Sequence, residues 1–576
     1  MSRWLTRGPM SGRGDAVVRA AAVLVLVSAT PAFAQGVPGT GGDPLRALGF
    51  APAVVDNELV PGLAIRGGDP EDTVLLFEGF ELPLAFHDDG VRSIVPPGAA
   101  YIELEPGGFG VEHGRGSSIV SVDPAGARAK ASLEATTVDA TVTLRQPGST
   151  SSPYGRRSTL VVARVGSNRA VREVRDEDAL VFQDLLLRTE YRLATPWWLA
   201  ASVIASSHGN GGAGRAVLAT RYQSTGWRAT LAVSTLVQNG DDLDRNTADS
   251  RIEIIRTAPR AAGLTKLAWR LGQQTNSSRY QLADRPFWRH DIAGWSSVAA
   301  NLSPTIRATA GLRIDDFDGD VATQPRARVA ATVVPHLELS IAAGAYRRPP
   351  EQTAELVQGD LNPERATEVI AGATYDDRRT LRVQAAAYSI DRRRLVAADA
   401  AGVLHNTGFG SSVGLELAAA VVRGPWFGLV SATLARSRRF DFERAAEHPA
   451  AYEQPFKLEV LGVWRHARWT FAARFSLASG LPYTPYTDSV YDADRDTWEP
   501  LYVPPLSART PLHHQLDVRA DYAFRLGRVG LAAFFDLHNA YRNRDAIGYS
   551  FSYDYRERTA ISALPIFPFA GLRASL

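Results

Sequence analysis

The chain has 576 residues, of which 45% are apolar and 22% charged, and this balance excludes a disordered or collagen-like protein. Its 63 Lys and Arg nearly cancel its 61 Asp and Glu, so bulk charge gives no reason to expect a nucleic-acid partner. The absence of Cys excludes disulfides, thiolate metal sites and cysteine nucleophiles. At ~150 residues per domain the length would allow about four domains, but the pattern along the chain indicates a different organisation.

Residues 1–34 have the features of an export signal. Several Arg precede the short apolar run 20–27, and residues 32–34 give the small-x-small pattern that precedes a cleavage site. The apolar run is far shorter than the ~20 residues that a membrane-spanning helix needs. We therefore expect residues 1–34 to be removed on export, whichever of Met1 and Met10 is the initiator.

From about residue 130 to the C-terminus, apolar and polar residues alternate along the chain. In 515–524 one face carries Leu516, Val518, Ala520, Tyr522 and Phe524, and the other carries Gln515, Asp517, Arg519 and Asp521. Successive side chains of a strand point to opposite sides, so one face is apolar and the other is charged. The pattern predicts about 20–22 strands of roughly 8–14 residues with hardly a helix between them.

A single closed transmembrane barrel explains this pattern better than a soluble β-sandwich, although the inward apolar face of a sandwich would also alternate. In lipid a closed barrel leaves no backbone edge unpaired, and about 9–11 residues per strand suffice to cross the apolar layer. We therefore expect a mostly β protein with an antiparallel barrel of about 22 strands over 126–576. With both termini in the periplasm, the candidate external loops are 239–250, 276–289, 347–364, 439–455 and 479–510.

Residues 35–125 are different in kind, with more Gly and Pro and weaker alternation. This composition is typical of a small α+β unit with several tight glycine turns. A barrel of about 22 strands is too wide for its own side chains to fill. The N-terminal unit is therefore expected to be a plug inside it.

Several short motifs resemble those of TonB-dependent outer-membrane receptors. In the plug they are Arg66-Gly67, the turn Glu78-Gly79 and the Gly-rich segment that begins at Ile102-Glu103. In the barrel they are Asn362-Pro363-Glu364-Arg365, Asn406-x-Gly408 with Gly414-x-Glu416, Ser479-Gly480-x-Pro482, Asp536-x-x-Asn539 and the close Pro568–Leu576. Each motif is weak alone, but their order follows that family across nearly the whole mature chain.

The resemblance implies an outer-membrane receptor that takes up a scarce ligand, such as a ferric siderophore, cobalamin or an oligosaccharide. It implies a barrel embedded in outer-membrane lipid and a partnership with the inner-membrane complex of TonB, ExbB and ExbD. An enzyme is not expected, because the histidines come with neither a Gly-x-Ser-x-Gly nor a His-Glu-x-x-His motif. The sequence gives no reason to expect a cofactor, a metal or a nucleic acid.

One departure from the family pattern leaves the energy coupling open. We find no TonB-contacting box before Gly42, so the plug is expected to be truncated at its N-terminus. A receptor-like barrel that binds a ligand or serves structurally, without TonB coupling, is therefore the alternative function.

The plug–barrel contact has two candidate residues, Arg66 and Glu416. The resemblance implies that they form an ion pair that holds the plug and breaks under force. The family usually has an acidic residue near the start of the mid-barrel strand, and the matching position in this sequence is Ile370. Alternatively, Arg66 caps backbone carbonyls within the plug.

Two further groups are candidate ligand contacts. His87, Asp88 and Asp89 form a polar tip in the plug and are expected to face the ligand cavity. Tyr483, Tyr486 and Trp498 lie in the long connection 479–510 and are suited to stack on a flat or sugar-like ligand, although a solvated loop would also carry them. In the same connection Asp492, Asp494 and Asp496 resemble the start of a calcium loop but lack its Gly and distal Glu, so no metal site is expected.

Overall fold

The fold is described from a computed structural model. It describes residues 28–29, 35–55, 62–87, 92–124, 130–146, 157–169, 180–194, 196–209, 211–240, 243–258, 266–282, 285–350, 361–399, 402–441, 447–501 and 503–576. Of the predicted export signal, only Ser28 and Ala29 are among these residues. Within the described ranges, no helix has the length and apolar character that crossing a membrane requires.

The N-terminal part forms a small sheet with two short 3-10 helices. Its strands are β1 (Ser28–Ala29), β2 (Thr73–Phe77), β3 (Phe80–Glu81), β4 (Ala100–Glu105) and β5 (Ser118–Pro124), and its helices are Arg46–Phe50 and Pro70–Asp72. The strand order is β1-β4-β5-β2-β3, with β2 parallel to β5 and the other pairs antiparallel. Since β1 belongs to the predicted signal, the mature plug sheet is expected to consist of β2–β5.

The strands that follow form the first part of the barrel wall. They are β6 (Ala131–Thr136), β7 (Asp139–Gln146), β8 (Arg157–Ser167), β9 (Val181–Ala194), β10 (Trp197–His208), β11 (Gly211–Ser224), β12 (Trp227–Asn239), β13 (Leu243–Ala258), β14 (Lys266–Leu282), β15 (Arg285–Asn301), β16 (Ile306–Phe317), β17 (Asp320–Val334) and β18 (Leu337–Arg348).

The second part of the wall contains longer connections with short strands of their own. Its strands are β19 (Glu364–Asp376), β20 (Leu381–Ala398), β21 (Leu404–Arg423), β22 (Trp426–Phe440), β23 (His448–Pro449), β24 (Phe456–His466), β25 (Trp469–Ala478), β26 (Pro482–Tyr483), β27 (Ser489–Asp492), β28 (Thr497–Pro500), β29 (Ala508–Arg509), β30 (His513–Leu526), β31 (Val529–His538), β32 (Ala546–Phe551), β33 (Arg558–Ser562) and β34 (Phe567–Ser575).

The wall is a closed antiparallel barrel of 22 strands in the described residues. The two-residue strand β23 pairs in addition with the last residues of β22. Each strand pairs with its neighbours in the chain, and the barrel closes where β34 pairs with β6, from Gly571 opposite Thr136 to Ser575 opposite Ser132. The predicted fold class is confirmed. We call the end that holds Leu576 the terminus end and the opposite end the loop end.

The alternation seen in the sequence separates a lipid-facing side from a lumen-facing side. On β21, Leu415 and Leu417 are 58% and 44% exposed, whereas Glu416 between them is 9% exposed. Leucines that face outward in this way would be costly in water, but they match the outward apolar band of a transmembrane barrel. The same parity aims polar side chains at the plug.

The loop end carries the longest connections. The strand ends that flank residues 349–363, 441–455, 479–512 and 539–566 all lie there. Two expected loops are different, because most of 239–250 and 276–289 continues as the paired strands β13, β14 and β15. These polar segments are strands that extend past the apolar band, since polar outward residues do not by themselves end a strand.

One side of the barrel wall joins the hydrophobic core of the plug. Plug residues Leu45, Phe77 and Phe80 belong to one buried cluster with inward side chains of β8–β12. The wall members are Leu160, Val162, Leu186, Ile204, Val217, Ala219 and Ala232. We call these wall residues the apolar seam. Packed apolar contacts of this kind are typical of a domain core rather than of a water-filled lumen.

Candidate functional site

The plug and barrel meet at a buried ion pair between Arg66 and Glu416. The Arg66 Nε donates to Glu416 Oε1 at 2.7 Å and its Nη2 donates to Oε2 at 2.8 Å, while Nη1 donates to the carbonyl of Pro106 at 3.1 Å. Burial alone would lower the pKa of Arg66, but Glu416 outweighs it, so the guanidinium stays charged. The structure thus brings the two residues together, and Arg66 also caps a plug carbonyl.

A second carboxylate, Glu368 on β19, lies beside this ion pair. Its Oε2 accepts the backbone N–H of Gly108 at 3.3 Å, and its residue is 1% exposed. A β-carbon on Gly107 would lie 2.6 Å from Glu368 Oε2 and 2.8 Å from Arg66 Nη1, so only glycine allows this close approach. The acidic side chain that β19 places beside Arg66 is therefore Glu368, and Ile370, two residues further on, also faces the plug. Strand parity alone does not single it out, because Glu364, Glu368 and Ile370 all share the lumen face of β19.

A larger charge network holds the second 3-10 helix of the plug. Asp72 lies 3.3 Å from Arg439, 3.5 Å from Arg348 and 3.6 Å from Arg392, which project inward from β22, β18 and β20. Asp69, at the start of the same helix, contacts Arg439 as well. Burial would raise the pKa of Asp72, but the three guanidinium groups outweigh it and hold that pKa at about 2. We call the plug contacts with β18–β22, including Arg66–Glu416, the ionic face.

Two plug carboxylates make similar contacts on other strands. Glu81 lies 3.0 Å from Arg245 on β13, and although burial would raise its pKa, this arginine and Arg115 hold it at about 2. Glu78, the acidic residue of the predicted turn with Gly79, contacts Arg188 on β9. These contacts leave the plug fixed by charge on several strands.

His87 is enclosed between plug and wall near the loop end. Its Nδ1 lies 3.3 Å from Nδ1 of His208, its Nε2 lies 3.3 Å from Asp184, and its ring stacks on Phe182 at 4.5 Å. The residue is only 2% exposed. A ligand contact of His87 stays a prediction and would require this cluster to open. Asp88 and Asp89 lie outside the described residues.

The aromatic residues predicted in 479–510 contact the other long loop, 539–566. Between ring centroids, Tyr483 lies 4.6 Å from Tyr549 and Tyr486 lies 5.1 Å from Tyr555. Trp498 lies 6.1 Å from Tyr553. Arg558 donates to the hydroxyl of Tyr483, and Ser489 donates to the carbonyl of Asp554. The hairpins β27–β28 and β32–β33 therefore pack against each other. We call this pair of hairpins the loop pair.

A cavity of about 150 Å³ lies between the plug and the loop end of the barrel wall, next to the residues where these two long loops begin and end. Four cationic residues and two carboxylates are among its lining residues: Arg46, Arg92, Lys457, Arg474, Glu459 and Asp536. Lys457 donates to the plug carbonyl of Val54 at 2.6 Å, so the cavity floor is also a plug–barrel contact. In the described parts of the chain, no group of three or more His, Asp or Glu is arranged to hold a metal ion.

Solved structures of similar fold include siderophore receptors and an iron transporter. The siderophore receptor PirA from Acinetobacter baumannii has a TM-score of 0.76 at 11% identity, over 97% of this chain and 99% of that chain. PirA from Pseudomonas aeruginosa has a TM-score of 0.70 at 14% identity, over 95% of this chain and 98% of that chain. The FrpB iron transporter from Neisseria meningitidis has a TM-score of 0.71 at 12% identity, over 95% of this chain and 98% of that chain. At these identities the likeness shows the fold.

The family comparison is more specific. No curated protein sequence matches the chain. The family model described as the TonB-dependent receptor-like β-barrel matches residues 132–540, which is well over half of the sequence. The family and its structural relatives are receptors and transporters rather than enzymes. The chain belongs to the family of TonB-dependent outer-membrane receptors.

Proposed function

We propose that this receptor imports an anionic ferric siderophore and that the TonB, ExbB and ExbD complex supplies the work. The observation that carries the proposal is the plug, which is fixed to the wall by buried ion pairs below a loop-end cavity. A large ligand that reaches the plug from the loop end crosses the barrel only if plug contacts such as Arg66–Glu416 are broken. The outer membrane holds no ATP, so a mechanical pull from the inner membrane is the natural source of that work.

The charge of the cavity favours an anionic ligand. Four lining residues are cationic and two are carboxylates. Glu459 pairs with Arg474 and Lys457, and Arg92 pairs with Asp139 beside the lining, so a formal excess of one positive charge is left. Ferric complexes of catecholate siderophores carry net negative charge, whereas neutral oligosaccharides gain little from such a surface. The similar structures named above are described as siderophore receptors and an iron transporter, which supports the same class.

Uptake assays test the ligand class and the energy coupling separately. The full chain is expressed in a Gram-negative host that lacks its own siderophore receptors, with and without an intact TonB gene. Cells are then given radiolabelled ferric enterobactin, ferrichrome, cyanocobalamin or maltodextrin. We expect iron uptake from the anionic catecholate chelate, and only in energised cells. Uptake of cobalamin or maltodextrin alone would contradict the ligand class.

The TonB-deficient host decides between transport and the alternative of an uncoupled binding barrel. Binding to whole cells without accumulation in either host would support the uncoupled barrel. Arg46→Gln, which removes one cavity charge, should weaken ferric enterobactin binding. Arg307→Gln is the matched control, because Arg307 lies near the terminus end of β16 and is absent from the cavity lining.

A further inference from the structure

The loop-end cavity has an apolar part and a charged part. The apolar part is lined by Val138, Leu564, Phe567 and Phe569. Three of these side chains pack with Phe534 in one hydrophobic cluster. The charged part includes Lys457 and Arg474, which project from β24 and β25. Such a cavity suits a ligand group that has an apolar body and carries a negative charge.

The size of the cavity limits what can enter it. Its volume is about 150 Å³. An apolar protein cavity of this size holds one benzene molecule. A ferric complex with three chelating rings cannot enter as a whole. The cavity therefore admits one part of such a ligand, no larger than a single ring.

The hydroxyl groups of the cavity are already used within the protein. They belong to Thr40, Ser476, Ser479 and Thr510. The first two donate to the carbonyl of Val37 and to the carboxylate of Glu459, and the other two accept backbone N–H groups. A sugar ring loses many hydrogen bonds to water on burial and needs partners to replace them, whereas an aromatic ring does not. The lining therefore favours an aromatic ring over a sugar.

The apolar part is held in place at the base of the loop 539–566. The side-chain amide of Asn539 donates to the carbonyl of Asn543 at 2.7 Å and to that of Leu564 at 2.8 Å. The backbone N–H of Asn539 donates to Asp517 Oδ1 at 2.9 Å. These bonds join the two ends of the loop and keep Leu564 at the cavity.

The base of the loop 479–512 is closed in a similar way. The backbone N–H of Thr510 donates to the carbonyl of Leu481 at 3.0 Å, and the N–H of Leu481 donates to the Thr510 hydroxyl at 3.0 Å. Gly480 approaches the Thr510 carbonyl so closely that a β-carbon has no room there. The hairpins of the loop pair can therefore separate while the cavity below keeps its shape. A preformed cavity binds without the cost of ordering its lining.

We propose that this cavity binds a single anionic aromatic ring of the transported ligand, of the catecholate or hydroxybenzoate class, while the iron stays above it between the loops. This inference rests on the proposed import of an anionic ferric siderophore and names the part of that ligand which the cavity selects. The apolar edge of the ring packs on Phe569 and Leu564. The formal positive excess of the lining favours its negative charge.

Fluorine NMR of the purified full chain in detergent tests the cavity without any siderophore. The probes are fluorosalicylate, fluorobenzyl alcohol, which has the ring without the charge, and fluoroacetate, which has the charge without the ring. Ala563→Leu fills part of the cavity, because Ala563 belongs to its lining. Ala560→Leu is the matched control, since Ala560 lies in the same loop but is exposed and absent from the lining. Heat-modifiable gel migration verifies that each variant is a folded barrel.

The expected result is that fluorosalicylate binds the wild type and Ala560→Leu more tightly than either other probe does. In Ala563→Leu its binding should weaken about tenfold or more, because the leucine occupies the space of the ring. Equal binding of fluorosalicylate by the wild type and Ala563→Leu would overturn the location. Equal binding of fluorobenzyl alcohol or fluoroacetate by the wild type would overturn the requirement for a charged ring.

A second variant, Leu564→Ala, enlarges the cavity. It should bind a two-ring probe, fluoronaphthoate, about tenfold or more tightly than the wild type does, and no gain would contradict the size limit.

Ferric enterobactin uptake separates this inference from the proposed function. Equal uptake by wild-type and Ala563→Leu cells, without fluorosalicylate binding, would overturn the ring site and leave the import of a ferric siderophore standing. Binding of fluorosalicylate that Ala563→Leu abolishes, without any uptake, would support the ring site and contradict the proposed import.

Discussion

Arg66 of the plug and Glu416 of β21 are joined by two parallel hydrogen bonds of 2.7 and 2.8 Å, with both side chains buried. Removing one partner of a buried pair typically costs ~3–5 kcal/mol, because the other charge is left without compensation. We therefore expect Glu416→Gln to lower the stability of the plug by about that amount. Urea unfolding, followed by a fluorophore on one introduced plug cysteine, measures the change, and the Cys-free chain gives no background labelling.

A double-mutant cycle with Arg66→Gln isolates the pair from its surroundings. The double variant should be nearly as stable as either single variant. Glu368→Gln is the matched control, since Glu368 is equally buried but accepts only a long bond from Gly108. If Glu416→Gln and Glu368→Gln lower the stability of the plug equally, the two parallel hydrogen bonds of Arg66 to Glu416 contribute nothing specific to it.

The acid sensitivity of the plug should depend on Asp72. Its pKa is about 2 in the folded plug and near 3.8 when unfolded, so the carboxylate contributes stability above pH 3.8 that is lost as the pH falls toward 2. At pH 7, Asp72→Asn should lower plug stability by at least about 2 kcal/mol. At pH 2 most of the difference between variant and wild type should disappear. Glu71→Gln, at the exposed neighbouring position, should have little effect at either pH.

Glu105 should have the opposite pH dependence. Burial, with Glu112 and Glu103 nearby, raises the pKa of Glu105 to about 7 from near 4.5. Its contribution to stability is therefore complete below pH 4.5 and is lost as the pH rises through 7. Glu105→Gln should stabilise the plug at pH 8 and leave it unchanged at pH 4. Glu112→Gln should destabilise it at pH 8, because Arg270 and His113 outweigh burial and hold the pKa of Glu112 at about 2. Urea unfolding of the labelled plug at pH 4 and pH 8 measures the stability change of each variant.

The loop pair should control access to the cavity. Ser489 and Asp554 contact each other across the two hairpins, so Ser489→Cys/Asp554→Cys provides a site for a short bis-maleimide linker. If the hairpins must separate for the ligand to pass, linked cells should lose ferric enterobactin uptake, while unlinked double-cysteine cells keep it. Each single-cysteine variant treated with the same reagent is the control. Full uptake after complete linkage would show that the ligand passes elsewhere.

The barrel could be predicted from the sequence because lipid imposes a period of two on every strand, as in Leu415, Glu416 and Leu417. Arg66 and Glu416 could be selected because the motifs around them resemble those of TonB-dependent receptors. Motif spacing pointed to Ile370 rather than Glu368, and strand parity does not separate the two, because both face the lumen from β19. The packing of Tyr483 on Tyr549 and of His87 on His208 joins residues far apart in the chain, and no local pattern indicates such contacts.

The plug is attached differently on its two sides. Along the apolar seam it shares a close-packed core with the wall through residues such as Leu186 and Ile204, in addition to the Glu78–Arg188 ion pair, whereas on the ionic face charge pairs predominate. Apolar packing is lost gradually as area is exposed, but a short ion pair fails abruptly once water separates its charges. When the plug is pulled, its contacts with β18–β22 should therefore break first, and the plug should rotate about its remaining contacts with β8–β12.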